Sequence, residues 1–593
     1  MHLLSTIMIR PTYVRNSIDN WLKSCLLSLI LVLMLQTAIT QRAEAQDSVT
    51  EDQVDVVDEY FKRLESFGLS GSLLIGTKDK IFLKRDYGLR ETESTSDPAY
   101  LVGSISKQYT ATAILVLEQR GLLKCDDPIS KYFDKPPADK ATITIHQLLT
   151  HTSGLTNDYW EFYPDLSEEE YINMMLSKDL ASTPGDRFQY VNIGYHLLAL
   201  IIEKVTQMEY EEFLVEELFE PNGIRSTGFN HVDWKDNQVV YYNDWSTEGN
   251  EHMIRNPLDR PITLQPEGSG GLISTTDDLY KWYQLIFHSD KILTQASKNK
   301  LLTPEKASYA YGWENYKTSR GTTLIEHGAY DSWVGIVTGL YNFTDENLVV
   351  IFLGNTHMSQ FLRKDDLMNS IEALLFGGQI CFPPLTQEGV NIINENRVGE
   401  YAGRQGNGLL SLNASGNSIR LRTKDVGVIQ KLIIPKNTSS VNRTDVQLEM
   451  VFNKMSTKDF ESIRDQFNKN IPFEYVVKMY GDTWDQLTSS MGTYLDFEVL
   501  NSKPNIYEGR FEIEFLVALI FDRGKFYLRA FRDHNGQLHF QPYEIPEKLE
   551  IYLSPVDKNK YVYWNIKSGL TSIIEFKEGN LIINGDGENI YSR

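Results

Sequence analysis

Apolar positions follow a strand-like pattern near both ends of the first 380 or so residues and a helical period between them. After a helical stretch, Leu69 to Ile75 and Lys80 to Leu89 read as a β-hairpin joined by Gly76-Thr77-Lys78-Asp79. From Gln108 to Arg120 the chain is apolar on most sides of a helix, the mark of a buried one, and Gly121 is placed to end it. The middle, from about Leu122 to Phe287, reads as mostly helix and loop, with helices at Tyr195 to Val205 and Thr276 to Phe287. Strand patterns return at Thr322 to Glu326, Trp333 to Tyr341 and Leu348 to Leu353, and a helix near Gln360 to Leu375 closes the segment. Strands on either side of a helical middle predict one sheet assembled from both ends.

Phe382-Pro383-Pro384 interrupts this pattern, because paired prolines continue neither a helix nor a central strand. Beyond it lie alternating strands near Leu409 to Arg422, a helical stretch near Thr457 to Phe467, and long strands at Phe511 to Phe521 and Lys525 to Arg532 around the turn Asp522-Arg523-Gly524. The expectation is an antiparallel meander with at least one helix. Its interleaved aromatics, Phe526, Tyr527 and Phe531, read as core and not as a ligand platform.

Length agrees with this division, since 593 residues exceed the roughly 250 to 300 that one core usually holds. Arg10, Arg15 and Lys23 precede an apolar run from Leu26 to Met34, followed by small residues and Ala43-Glu44-Ala45. That order, basic then apolar then an A-x-A-like site, is that of a secretory signal. The basic stretch is long for a signal, so an uncleaved N-terminal anchor is the alternative; either implies export to a periplasmic or extracellular location. The predicted domains are thus residues 1–45 as signal or anchor, 53–381 as the first folded domain, and 390–593 as a β-rich accessory region. Net charge is -22 and no Lys/Arg-rich run occurs, which excludes a phosphate-tracking surface and with it nucleic acid as a partner. Membrane contact is expected only through the N-terminal segment. Cys25, Cys125 and Cys381 lie far apart, and Cys25 falls inside the N-terminal segment, so at most one disulfide could form and Cys125 and Cys381 read as free buried thiols.

Chemistry enters at Gly103-Ser104-Ile105-Ser106-Lys107, which opens the buried helix. Residues three apart share a helical face, so the hydroxyl of Ser104 and the amine of Lys107 can meet, while Ser106 points elsewhere. A serine hydroxyl is a poor nucleophile until a base takes its proton, and a Ser-Lys pair can do this. An ordinary lysine is neutral only about once in 2,500 near pH 7, so Lys107 has to be tuned by burial or a neighbouring cation. Ser-x-x-Lys alone is common by chance. It is joined here by Tyr190-Val191-Asn192, by Gly194-Tyr195-His196-Leu197-Leu198, and by Glu326-His327-Gly328-Ala329 at the end of a predicted strand. Further stretches are Thr144 to Leu155, Gly270-Gly271-Leu272-Ile273-Ser274-Thr275 and Tyr311-Gly312-Trp313.

In this order the motifs resemble the serine β-lactamase and penicillin-binding-protein superfamily, in its branch of class C β-lactamases, DD-peptidases and esterases, over roughly residues 55 to 380. The resemblance implies an α/β fold: a mostly antiparallel sheet flanked by helices plus an all-helical subdomain, here followed by a β-rich α+β region of lipocalin-like or cystatin-like type. It implies that Ser104 forms an acyl-enzyme, that Lys107 and Tyr190 share the proton work, and that Asn192 orients Lys107 and binds substrate. Backbone N–H groups of Ser104 and Tyr330 would form the oxyanion hole. His327 stands where the β-lactamases of this branch carry lysine and many of its peptidases and esterases carry histidine. Ala329 stands where the family usually has glycine, which narrows the strand facing the substrate, with bulky Tyr330 and Trp333 after it.

Histidine and cysteine spacings give no zinc signature, and neither a Gly-x-Ser-x-Gly elbow nor a phosphate-binding loop occurs, so no metal and no cofactor are expected. His151, inside Thr-His-Thr-Ser-Gly, reads as structural. The leading function is an exported acyl-serine hydrolase of a peptide, such as a D-alanyl-D-alanine cell-wall peptide, or of a small ester. A β-lactamase is the second. A non-catalytic binding or regulatory protein on the same fold is the third, motivated by Ala329 and the large C-terminal region.

Overall fold

The computed structural model describes residues 49–88, 98–156, 167–229, 231–232, 268–331, 335–355, 364–378, 380, 382–385 and most of 399–592. The N-terminal basic and apolar segment, Cys25, Cys381 and Trp333 lie outside the described residues. Cys125 is a buried free thiol.

Helix α1 (Glu51–Glu65) leads into strands β1 (Gly71–Gly76) and β2 (Ile81–Tyr87), the hairpin expected from the alternation. A short strand β3 (Tyr100–Leu101) precedes α2 (Ser106–Gln119), α3 (Ile145–Leu149), α4 (Glu168–Met175), α5 (Asn192–Thr206) and α6 (Tyr210–Leu214). Strand β4 (Ile273–Ser274) pairs with β3 and is followed by α7 (Thr276–His288) and α8 (Gln295–Leu302). Strands β5 (Glu314–Lys317), β6 (Thr323–Asp331), β7 (Ile336–Phe343) and β8 (Leu348–Asn355) then complete an antiparallel sheet of order β2-β1-β8-β7-β6-β5. Residues Leu73 and Phe352 face each other across β1 and β8, so the sheet is assembled from both ends of the segment.

Strand β8 shows why its sequence is apolar throughout: both of its faces are covered. Val349, Ile351 and Leu353 belong to the core shared with α2, α5 and α7, while Phe352 turns the other way and meets Phe61 of α1 at 5.5 Å between ring centroids. The closing helix, α9 (Lys364–Phe376), lies beside α1, with Gln53 donating to the Leu375 carbonyl at 2.7 Å. Helix α2 is buried from Ser106 to Leu117, and two of its polar members are tied inside: the Gln108 carbonyl oxygen accepts from the Trp282 indole at 3.0 Å, and Thr110 donates to the Gly268 carbonyl at 2.7 Å. Among the described residues no helix is long and apolar enough to cross a membrane.

The C-terminal part is a closed eight-stranded antiparallel barrel. It consists of β9 (Gly399–Gly403), β10 (Leu409–Ser415) and β11 (Ser418–Thr423), followed much later by β16 (Leu549–Asp557), β17 (Lys560–Asn565), β18 (Leu570–Lys577), β19 (Asn580–Ile583) and β20 (Ile590–Ser592). Tyr591 opposite Gly403 closes it. Between β11 and β16 the chain builds a separate layer from α10 (Val446–Ser456), α11 (Phe473–Met491) and the sheet β12 (Tyr494–Tyr507), β13 (Arg510–Phe521), β14 (Gly524–Asp533) and β15 (Leu538–Pro542). Strands β12 to β15 are the expected antiparallel meander with helices beside it, and the correction is the barrel, a second sheet that the expectation did not set apart. The helix expected at Thr457 to Phe467 is corrected as well: Lys458 takes a left-handed φ of 59°, and Asp459 receives the Ser462 hydroxyl at 2.7 Å, so only a short 3-10 turn, Glu461–Gln466, forms there. Phe526 packs on the core of the inserted layer, Tyr527 on that of the barrel, and Phe531 stacks on His539 at 4.5 Å.

Candidate active site

Ser104 sits in a single 3-10 turn, Gly103–Ile105, that feeds α2. An N–H at the start of a helix has no carbonyl within the helix to bond, so the Ser104 N–H is directed outward. Ser106 turns back, donating to the Gly103 carbonyl at 2.7 Å and receiving the Leu272 N–H at 3.3 Å, which fastens the turn to the Gly270-Gly271-Leu272 stretch. Lys107, one turn on from Ser104 and fully buried, places its amine 3.0 Å from Ser104 Oγ, 2.8 Å from Asn192 Oδ1 and 2.7 Å from the Ser269 carbonyl. The Tyr190 phenol donates to Ser104 Oγ at 2.8 Å.

These four side chains arrive from different places. Asn192 is the first residue of α5, directly after the extended segment that carries Tyr190. That segment is pinned by the loop after α3: Gln189 N–H donates to the His151 carbonyl at 2.8 Å, and Val191 N–H to His151 Nδ1 at 3.2 Å. His151 holds a left-handed φ of 55° and lays its ring on Tyr190 at 4.3 Å between centroids, a supporting position and not one against Ser104. Gly312 explains the Tyr-Gly-Trp stretch, because any side chain there would come within 2.7 Å of the Lys107 carbonyl.

Electrostatics divide the roles of the polar groups. Burial alone holds the Lys107 amine well below its ordinary 10.5. A neutral amine has two N–H bonds and one lone pair. Asn192 Oδ1 and the Ser269 carbonyl have no proton to give and must take the two N–H bonds, so the lone pair faces Ser104 Oγ. Burial pushes the Tyr190 phenol up and so keeps it protonated.

His327 is in the same cleft but does not bond Ser104. Its Nδ1 lies 3.0 Å from the Gly328 carbonyl and its Nε2 3.0 Å from the Tyr309 hydroxyl. A carbonyl only accepts, so Nδ1 carries the proton and Nε2 accepts from Tyr309. Burial first, and the charge of Lys364 with it, holds this imidazole far below its ordinary range, and it is neutral. The buried cation behind β6, Lys364, is 3.0 Å from Glu326. Burial disfavours its charge, but Glu326, Glu314 and Asp365 outweigh burial and hold it high.

Strand β6 runs past its last pair with β5, Glu326 opposite Glu314, so its stretch from His327 to Asp331 borders the cleft. Tyr330 lies on this stretch, opposite Val337 of β7, with its side chain exposed. Ala329 turns toward Gly103: a β-carbon built on Gly103 would stand 2.4 Å from the Ala329 methyl, and Gly103 has a φ of 55°. Gly103→Ala should therefore destabilise the fold by about 1 to 3 kcal/mol, from a left-handed backbone and a clash together. In an Ala329→Gly background denaturant unfolding should show a smaller loss; equal losses would mean that the two residues do not touch.

Sequence spacing assigned no role to Ser269 or Tyr309, and none to His196 beyond its place in the Gly194-Tyr195-His196-Leu197-Leu198 stretch. Ser269 acts through its carbonyl, which no side-chain pattern reveals, although it adjoins Gly270-Gly271. Tyr309 lies two residues before the Tyr-Gly-Trp stretch. Among the described residues no three His, Cys, Asp or Glu side chains gather to hold a metal ion.

The Beta-lactamase family model matches residues 58–374, more than half of the chain. Penicillin-binding protein 4* of Bacillus subtilis (strain 168) is 25% identical over 339 residues, which cover 53% of this chain and 74% of that protein. Protein flp of Staphylococcus aureus (strain NCTC 8325 / PS 47) is 27% identical over 336 residues, covering 53% of this chain and 65%, just under two thirds, of flp. Among solved structures, the octameric penicillin-binding protein homologue from Pyrococcus abyssi aligns over 84% of this chain and 99% of its own, with 21% identity and a TM-score of 0.47.

Proposed function

Because the chain belongs to the Beta-lactamase family, whose members are mostly serine hydrolases, we propose that it hydrolyses a peptide or ester through an acyl-Ser104 intermediate. The observation that carries this reading is the convergence of Lys107 and Tyr190 on one oxygen, Ser104 Oγ, at 3.0 and 2.8 Å. In the proposed reaction Ser104 Oγ attacks the carbonyl carbon as its proton passes to the Lys107 lone pair. The negative charge on the carbonyl oxygen faces the Ser104 and Tyr330 N–H groups, and Tyr190 relays the proton from Lys107 to the leaving group as the scissile bond breaks. Water then attacks the acyl carbon by the same route in reverse. Asn192 holds Lys107 in line throughout.

Neutral His327 favours the ester or uncharged amide over a β-lactam or a peptide ending in a free carboxylate. Both of its nitrogens are engaged and it carries no charge with which to hold a carboxylate. A comparison of kcat/KM for an activated ester, a D-alanyl-D-alanine peptide and a chromogenic cephalosporin tests this. The ester should be fastest, and a cephalosporin turned over faster than the other two would replace the reading with a β-lactamase. Export is proposed on the order of basic, apolar and small residues before residue 46.

Dependence on pH follows from the two directions of shift. Lys107 must be neutral to act, so kcat/KM should fall as pH drops through its lowered pKa, and this limb should lie well below 10.5. Tyr190 must keep its proton, so loss on the alkaline side should begin only above its ordinary 10.0. His151 and His327 are held well below their ordinary 6.5 and His196 is held at about 3, all first by burial, so the acid limb belongs to Lys107. An ester rate profile from about pH 5 to about pH 10 reads this directly. Activity that appears only near pH 10 would contradict it.

A further inference from the structure

Lys107 aims its lone pair at Ser104 only while both of its N–H bonds are held elsewhere. Asn192 provides one acceptor with its own side chain, and the other is the backbone carbonyl of Ser269, from a segment far along the chain. Four residues after Asn192, on the same face of α5, stands His196. Its Nε2 lies 2.6 Å from Ser269 Oγ and its Nδ1 2.9 Å from the Tyr171 hydroxyl of α4. One helix face therefore reaches both acceptors of the amine, one directly and one through Ser269.

We propose that His196 is a positioning residue that fixes the Ser269 carbonyl on the Lys107 amine, so that α5 sets the direction of the base through Asn192 and His196 together. The proposal rests on the reading of Lys107 as the base. The geometry gives His196 this role and no direct one, since its hydrogen bonds go to Tyr171 and Ser269 and none goes to Ser104. The imidazole is neutral, pressed down to about 3 by burial and by Lys107, so it donates through one nitrogen and accepts through the other. Thr110 ties the preceding carbonyl, that of Gly268, at 2.7 Å, and Ser106 holds the Leu272 N–H three residues on, so the side chain of Ser269 is the handle nearest the carbonyl that meets Lys107. With the His196 contact gone, the carbonyl can leave the amine and the lone pair is free to turn from Ser104; a misplacement of about 1 Å costs on the order of a hundredfold in rate.

The test is a set of labelling rates with a fluorophosphonate on the full chain. His196→Ala and the milder Ser269→Ala should each slow labelling of Ser104 by roughly tenfold to a hundredfold, and the double variant should be no slower than the worse single, because both act through one contact. In a Lys107→Ala background, His196→Ala should change the residual rate by less than about twofold. A His196 effect that persists in full without Lys107, or that adds to that of Ser269→Ala, overturns the proposal and makes His196 an ordinary packing residue. If Lys107→Ala itself labels as fast as the unaltered protein, the underlying assignment of the base has failed instead.

Discussion

Replacing Lys107 with alanine should slow acylation of Ser104 by roughly 10²- to 10⁴-fold, the range over which a positioned base contributes. The amine is the group that faces Ser104 Oγ with a lone pair, and the phenol on the other side is held protonated, so Tyr190 does not take over as base. The second consequence is more diagnostic than the size of the loss. If the acid limb of the rate profile is the titration of Lys107, that limb should vanish in the variant, leaving a low rate that is flat across the same range. The substitution also strips Asn192 Oδ1 and the Ser269 carbonyl of a buried donor, which should cost about 1 to 3 kcal/mol of stability. Denaturant unfolding of the variant separates that cost from the loss of rate. An unaltered acylation rate, or a limb that survives the substitution, would remove Lys107 from the mechanism.

For Ser104→Ala the expectation is loss of the adduct and a fall in turnover of about 10⁶-fold, the scale seen when a nucleophile that acts as part of a unit is removed. Fold and cleft should survive, since the Ser104 hydroxyl meets only Tyr190, from which it accepts, and the Lys107 lone pair, to which it donates, and supports no other element. Substrate should still bind, because the N–H groups of Ser104 and Tyr330 belong to the backbone. Turnover of the same ester at a rate near that of the unaltered protein would show that another group carries the chemistry. Absence of any acylation of the intact, folded protein would instead favour the reading as a binding or regulatory protein on this fold.

What the sequence made legible was governed by distance along the chain. Ser104 and Lys107 lie one turn apart on a helix whose burial is written in its composition, so spacing alone let them meet, but their role, and that of Tyr190 and Asn192, was legible only from the order of motifs that resembles the family. The sheet was legible because β1, β7 and β8 are apolar on both faces. Ser269 and Tyr309 were not, as a backbone carbonyl leaves no trace in side-chain spacing and Tyr309 is one aromatic among many. The state of His327 was hidden too: its identity is visible, but its neutrality follows from the Gly328 carbonyl and Tyr309, which only the folded strand brings to it. In the C-terminal region β10, β11, β13 and β14 were readable alone, and the strands from Leu538 onward were not. That β11 pairs with β16, with the whole inserted layer from Val446 to Pro542 between them in the chain, is a pairing no local pattern records.

Ala329 shows how a departure from a family pattern becomes physical. Its methyl touches the space beside Gly103, not Ser104 Oγ itself, so it bears on the width of the cleft and leaves the Ser-Lys-Tyr contacts intact.

Peptide mapping of the protein after reaction with a fluorophosphonate tests most directly whether a buried neutral lysine has made this particular serine reactive. The added mass should fall on the peptide containing Ser104, in the unaltered protein and much more slowly in Lys107→Ala. Mass on any other residue, or none on a folded protein, would contradict the account.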